Sequence, residues 1–356
     1  MSRVLIEPAS YSSCRNAVDR SLKLFSPPLS GRRVLIKPNV LRASGPDEGV
    51  VTHPALVRAL VDAVEEAGAS AITVGDNPGL FDYGDNERCF RDTGLMEAAK
   101  GYYANIGHES EEMTFDPTLM SRVSVSSEVL RADVVISLPK FKTHGLTVIT
   151  GAIKNSYGIL PGGQKARLHR EAGEPFRFHE AVVDVFRLRV PDVFIMDAVV
   201  GMEGNGPASP ELRDVGRLLA SDNAVAMDAV VASMMGLDPA KLRFLQRARE
   251  LGLGEFDLEA IDILGDMETI PDYKIPPLGG EANLQNEALQ EVIHNRARLT
   301  ARADPELCTG CGQCVDHCPV SALTPNENGI PVVNEDTCIT CFCCQEICPE
   351  KAMALA

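Results

Sequence analysis

The chain has 356 residues, 45% of them hydrophobic, with 50 acidic against 34 basic side chains and a formal net charge of −16. Such apolar content supports a sizeable core and argues against disorder, and the length allows one large domain plus a small one. The acidic balance argues against nucleic acid or an anionic membrane as the main partner, and no apolar run reaches bilayer-spanning length.

From the N-terminus, short β-rich apolar runs predict strands at 4–7, 34–37, 71–75, 133–138, 193–197, 217–220 and 261–264. Between them, amphipathic spacing predicts helices over 54–67, 87–100, 178–189 and 223–235, with Pro54 as a start signal and Gly68 as a stop. The alternation predicts an α/β domain over 1–280, a mostly parallel open sheet flanked by helices. Pro271, Pro276, Pro277, Gly279 and Gly280 then break the pattern. A helical tether is expected over 281–300 from the spacing of Leu284, Ala288, Leu289, Val292 and Ile293. Residues 301–356 are left as a small ferredoxin-like α+β domain, too short to hold a core without metal.

Nine of the eleven cysteines lie between Cys308 and Cys348. Eight repeat one spacing: Cys308-x2-Cys311-x2-Cys314-x3-Cys318-Pro319, then Cys338-x2-Cys341-x2-Cys344-x3-Cys348-Pro349. This is the bacterial two-cluster iron–sulfur run, in which three close thiolates wrap one cube and the fourth ligates its neighbour. One [4Fe-4S] cluster is therefore expected on Cys308, Cys311, Cys314 and Cys348, and a second on Cys338, Cys341, Cys344 and Cys318. Zinc sites seldom place three cysteines in a row before a fourth. A disulfide framework does not suit a chain opening MSRVLIEPAS, without a charged-then-apolar leader. An oxygen-sensitive, thiolate-rich tail fits a reducing, anaerobically poised cytoplasm. Cys343 falls outside the repeated register and reads as a buried thiol touching the cluster.

In open α/β sheets, ligands bind beyond the carboxyl ends of the strands. The residues following the predicted strands are Lys37-Pro38-Asn39, Gly75-Asp76-Asn77, Pro139-Lys140-Phe141-Lys142-Thr143-His144, and Asp197 with a turn holding Glu203. Charge is also segregated. Residues 134–170 hold no Asp or Glu, where simple proportion would put about five, yet they carry Lys140, Lys142, Lys154, Lys165, Arg167 and Arg170 with His144 and His169. This composition points to a site for a small anion, a carboxylate or a phosphate, aided by glycines that let backbone N–H groups approach. The rival is that these cations face the acidic tail, and the two roles are compatible. No Gly-x-Gly-x-x-Gly follows an early strand, so no nicotinamide or flavin fingerprint is seen, and 158–165 lacks the ending of a P-loop.

These residues carry a resemblance. The run Leu138 to His144, the run Thr150 to Gly158, Lys165 with His169, then Asp197, Gly201, Glu203, Gly204 and Gly206 are similar to the domain-of-unknown-function family 362 in its ferredoxin-tailed form. Asn39, His53-Pro54, Gly75-Asp76 and Asp228 extend the likeness over nearly the whole chain. The resemblance implies an iron–sulfur redox tail on an α/β domain.

The expected function is an iron–sulfur oxidoreductase. Electrons would pass from the clusters to a small anionic substrate held by Lys140, Lys142, Lys154, Lys165 and Asn155. His144 or His169 would donate protons, and Asp76, Asp197 and Glu203 would act as bases or orient lysines. An external protein would give or take the electrons. The alternatives are a ferredoxin-type carrier that docks a partner enzyme, and a non-redox isomerase or lyase with accessory clusters. Lys154→Ala separates the enzyme from the carrier, which tolerates it, and a non-redox enzyme turns over with no external electron donor.

Overall fold

A computed structural model describes residues 1–79, 85–116, 119–172, 175–276, 301–339, 341 and 343–355. The expected tether, 281–300, lies outside them. The strands of the large domain are β1 (Ser2–Pro8), β2 (Arg33–Pro38), β3 (Ala71–Val74), β4 (Ser110–Thr114), β5 (Arg122–Ser126), β6 (Val134–Leu138), β7 (Lys140–His144), β8 (Val148–Ile149), β9 (Val193–Met202), β10 (Leu212–Ser221) and β11 (Ile261–Leu264). The main sheet runs β11-β1-β10-β9-β6-β2-β3, with β7 joined to β9 and β8 to β7, while β4 and β5 form a separate hairpin. Pairing is parallel for β1 with β11, β2 with β3 and β6, and β9 with β6 and β7; β10 is antiparallel to both neighbours. It is a mostly parallel open sheet with helices on both faces.

Side-chain alternation builds the two layers. Val34 and Ile36 of β2 and Val134 and Ile136 of β6 face the helices Cys14–Phe25 and Pro54–Glu66. Leu35 and Val135, one residue out of phase, face the helices Pro175–Phe186 and Ala224–Met234. The last of these is buried almost all round and starts where the Asn223 side chain accepts the Ala226 N–H at 3.0 Å. The single helix expected over 87–100 is two, Asp85–Asp92 and Leu95–Ala98, because Gly94 turns left-handed (φ 78°) between them.

The main departure from expectation lies after β6. Lys140–His144 reads as a polar strand end but is itself a buried strand. Pro139 interrupts β6 and the chain re-enters beside the extended β9, with Lys140 opposite Asp197 and Lys142 opposite Met202. β9 is correspondingly longer than the run that predicted it.

Behind this segment His179 donates from Nε2 to the Leu146 carbonyl at 2.8 Å, supporting the turn that carries His144. Burial pushes His179 down to about 4. Its folded-state pKa lies below the unfolded value, so the unfolded chain binds the extra proton on acidification. Stability held above pH 6.5 is then lost as pH falls toward 4. Between pH 6.5 and 5 this residue is expected to cost about 2 kcal/mol, and His179→Gln to remove that slope. Urea midpoints of both proteins at pH 7 and pH 5 measure the difference.

The tail is built from two short antiparallel pairs, Ala301–Ala303 with Met353–Leu355 and Leu323–Pro325 with Pro331–Val333, and two short helices, Gln313–Asp316 and Cys343–Ile347. Its buried apolar cluster among the described residues is small: Ala301, Cys314, Leu323, Cys348, Ala352 and Met353. It packs on the carboxyl edge of the large sheet, where the Gln345 amide donates to the Asn205 carbonyl at 2.9 Å and Lys351 reaches the Ser209 carbonyl at 3.4 Å.

Candidate functional site

The cysteines of the tail line two separate hollows. One is walled by Cys308, Cys311, Cys314 and Cys348, the other by Cys318, Cys338, Cys341 and Cys344. The backbone N–H four residues after each fourth cysteine points at its sulfur, Ala322 at Cys318 (3.2 Å) and Ala352 at Cys348 (3.3 Å). Among the described residues no group of His, Cys, Asp or Glu converges on a single metal ion. Sulfurs spread around a hollow suit an iron–sulfur cube better than one zinc ion, so the donor sets fit the groups that the spacing implies.

Where the tail meets the ends of β2, β3, β6 and β7 lies a cavity of about 70 Å³. Seven of the residues expected at a site line it: Asp76, Lys142, His144, Lys154, Asn155, Lys165 and His169. Cys343, Glu346 and Ile347, all from the helix that also bears Cys344, form its opposite wall.

The lysines differ in what already holds them. Lys142 donates to the Val50 carbonyl at 2.6 Å, and Lys165 to the carbonyls of Asn77, at 2.5 Å, and Pro78. Burial lowers both, Lys165 to about 8. Lys154 lies over the Tyr157 ring, its ammonium 5.7 Å from the centroid, and makes no hydrogen bond with a described residue. Three further polar atoms at the cavity are buried with no hydrogen-bond partner among the described residues, Asn39 Oδ1, Thr150 Oγ1 and His169 Nδ1. His169 is stacked on Phe178 at 4.1 Å and meets Tyr157 edge-on, so its ring is fixed. Burial pushes it down to about 4, leaving it neutral near pH 7.

His144 accepts the Leu146 and Thr147 N–H groups on Nδ1, at 3.1 and 3.3 Å, which places its own proton on Nε2. That nitrogen lies 2.9 Å from Glu346 Oε1. Burial and Lys154 push His144 down to about 3, so the pair is a neutral imidazole beside a carboxylate. Burial opposes ionisation of Glu346, but the His144 hydrogen bond and the Lys154 charge outweigh it and hold the carboxyl well below its usual range.

Asp76 forms a buried ion pair with Lys37, 2.6 Å apart, and its other oxygen accepts the Val40 N–H at 2.8 Å. A Cβ on Gly158 would collide with both partners, so the backbone passes here only as glycine. Gly151 is required for a similar reason. It is left-handed (φ 60°), and a Cβ would lie 2.5 Å from Asp228, whose carboxylate accepts the N–H groups of Ala152 and Ile153 and so holds the turn bearing Lys154. The Asn155 amide is spent on Ser137 (2.8 Å) and Asn39 (3.0 Å).

Three expected residues lie elsewhere. Lys140 and Asp197 pair with each other at 2.8 Å, fully buried; Lys140 also donates to the Tyr11 hydroxyl, and Asp197 accepts from that hydroxyl and from the His53 N–H. Register explains this, since β7 sets the two side by side. Glu203 pairs with Arg213 at 2.8 Å, pinning its loop. Conversely, sequence reasoning missed Tyr157 and Glu346 as cavity groups, and read Lys37 as a strand-end cation without its pairing to Asp76. Tyr157 sits inside the quoted motif. For Glu346 the only signal is its position two residues after a cysteine ligand, which Asp316 shares in the first repeat while staying exposed.

A model of the family described as Domain of unknown function (DUF362) matches residues 34–233, and a 4Fe-4S dicluster domain matches residues 300–349. The chain is similar to the thylakoid-associated protein sll1697 of Synechocystis sp., at 34% identity over 225 residues, 63% of this chain and 69% of the relative. The tail is similar to ferredoxin-1 of Rhodobacter capsulatus, 46% identical over 43 residues, 12% of this chain and 65% of that protein. A probable ferredoxin of Methanosarcina thermophila matches at 49% over 37 residues, 10% of this chain and 64% of its own length. The tail thus has iron–sulfur electron-transfer character. Among the described residues no helix is long and apolar enough to cross a membrane.

Proposed function

From the premise that the chain belongs to the DUF362 family and carries an iron–sulfur tail, we propose that it is an oxidoreductase acting on a small anion in the cavity. One observation carries the reading: a single short helix contributes Cys344 to a cysteine hollow and Cys343, Glu346 and Ile347 to the wall of the lysine-lined cavity. Two [4Fe-4S] clusters, held by Cys308, Cys311, Cys314 and Cys348 and by Cys338, Cys341, Cys344 and Cys318, supply single electrons when bound.

The chain's own residues do the rest. Lys154, which makes no hydrogen bond with a described residue, meets the incoming anion, while Lys142 and Lys165 are fixed beside it by backbone carbonyls. Thr150 and His169 complete the contacts, and His169, neutral and held by stacking, has one N–H to give. The tail helix excludes bulk water from that side. An external redox protein meets the first hollow, where Cys311 is exposed. A reducing compartment such as the cytoplasm suits the thiolates.

Lys154→Ala tests the reading. The variant is expected to keep its iron and acid-labile sulfide yet lose about 100-fold in the rate at which small carboxylates or oxyanions reoxidise the anaerobically reduced protein. Unchanged reoxidation with every acceptor would favour the carrier instead.

A further inference from the structure

The cavity's cations do not stand alone, because the tail inserts one anion among them. Glu346 is 7% exposed, lies 2.9 Å from His144 Nε2 and forms part of the cavity wall with Lys154. Its carboxylate occupies part of the positive field that a substrate must use. The free volume is about 70 Å³, a few times what a single water needs, and suits a small ligand. A ligand in that space lies within a few ångströms of Glu346, where a second negative charge on the ligand is repelled and poorly screened.

Resting on the oxidoreductase reading, we infer that Glu346 is a specificity residue that restricts the cavity to short monocarboxylates and excludes doubly charged oxyanions such as phosphate and sulfate. Lys154 meets the ligand carboxylate, and the Thr150 hydroxyl and His169 Nδ1 supply the contacts that the protein leaves open. Selection then comes from the tail rather than the α/β domain. The same helix brings the cysteine hollow and the charge filter to the ligand together, so an undocked tail leaves the cavity both unfiltered and remote from the hollow.

The test is calorimetric titration of the cluster-loaded, anaerobic full chain with acetate and propionate against sulfate, at matched ionic strength, for wild type and Glu346→Gln. Wild type is expected to bind the monocarboxylates at least about tenfold more tightly than sulfate, and Glu346→Gln to close most of that gap by gaining sulfate affinity. Sulfate binding to wild type as tightly as acetate overturns the inference while leaving the cavity reading intact, as does an unchanged ratio in the variant. Absence of binding by any of these anions to wild type overturns both. If Glu346→Gln loses iron, the wild-type ratio decides alone.

Discussion

Replacing Asp76 with alanine is expected to destabilise the large domain by about 3–5 kcal/mol, because it strands a buried ammonium. Lys37 and Asp76 are 0% and 3% exposed and 2.6 Å apart. The Lys37 Nζ also donates to the Asn155 carbonyl at 2.7 Å, and Asp76 accepts the Val40 N–H at 2.8 Å. Three segments that form the cavity are thereby tied to one pair of charges. Burial already lowers the Lys37 pKa and Asp76 opposes that effect, so removing the carboxylate leaves burial unopposed. Lys37→Met/Asp76→Leu removes both charges and is expected to recover much of the loss, since a buried pair costs desolvation that apolar groups do not. Denaturant unfolding of the two variants and wild type checks this. Near-wild-type stability of Asp76→Ala would show that the pair contributes little.

That pair illustrates which parts of the molecule were legible. Asp76 was readable as a polar strand end at the carboxyl edge of the sheet, but its partner was not. Lys37 lies in an equally polar end 39 positions upstream, and only the parallel pairing of β2 with β3 brings the two together. The alternation of apolar runs with helices was enough for the sheet and its flanking layers, because each strand carries a periodic signal of its own. β7 had no such signal. Lys140-Phe141-Lys142-Thr143-His144 reads as solvated, and its burial depends on β9, more than 50 residues away, supplying Asp197 at the matching register.

Charge segregation over 134–170 pointed to a cluster of cations, and the structure gathers Lys142, Lys154 and Lys165 beside the tail. Glu346 from the tail touches His144, while Lys154 makes no hydrogen bond with a described residue. Composition could locate the cations but not divide them. Lys142 and Lys165 are held by carbonyls whose positions only the fold determines, and Lys140 is taken by Asp197.

The largest expected effect concerns two adjacent residues. Cys344→Ala is expected to lose about half the iron or more and to leave 301–356 open to proteolysis, whereas Cys343→Ala retains iron and an intact tail. The reason lies in the size of the tail's core. Its described apolar cluster is six residues, two of them the cysteines Cys314 and Cys348, so metal–thiolate bonds must supply most of the folding free energy. Cys344 faces the hollow it shares with Cys318, Cys338 and Cys341, while Cys343, one position along the same helix, faces the cavity. Iron and acid-labile sulfide assays with limited proteolysis, on anaerobically prepared proteins, measure both outcomes. Iron loss confined to Cys343→Ala would move the ligand role by one residue and rotate the helix that links hollow to cavity. With Cys343 as the ligand, Glu346 would turn from the cavity too, so this pair of variants tests the geometry on which both the redox reading and the charge filter depend.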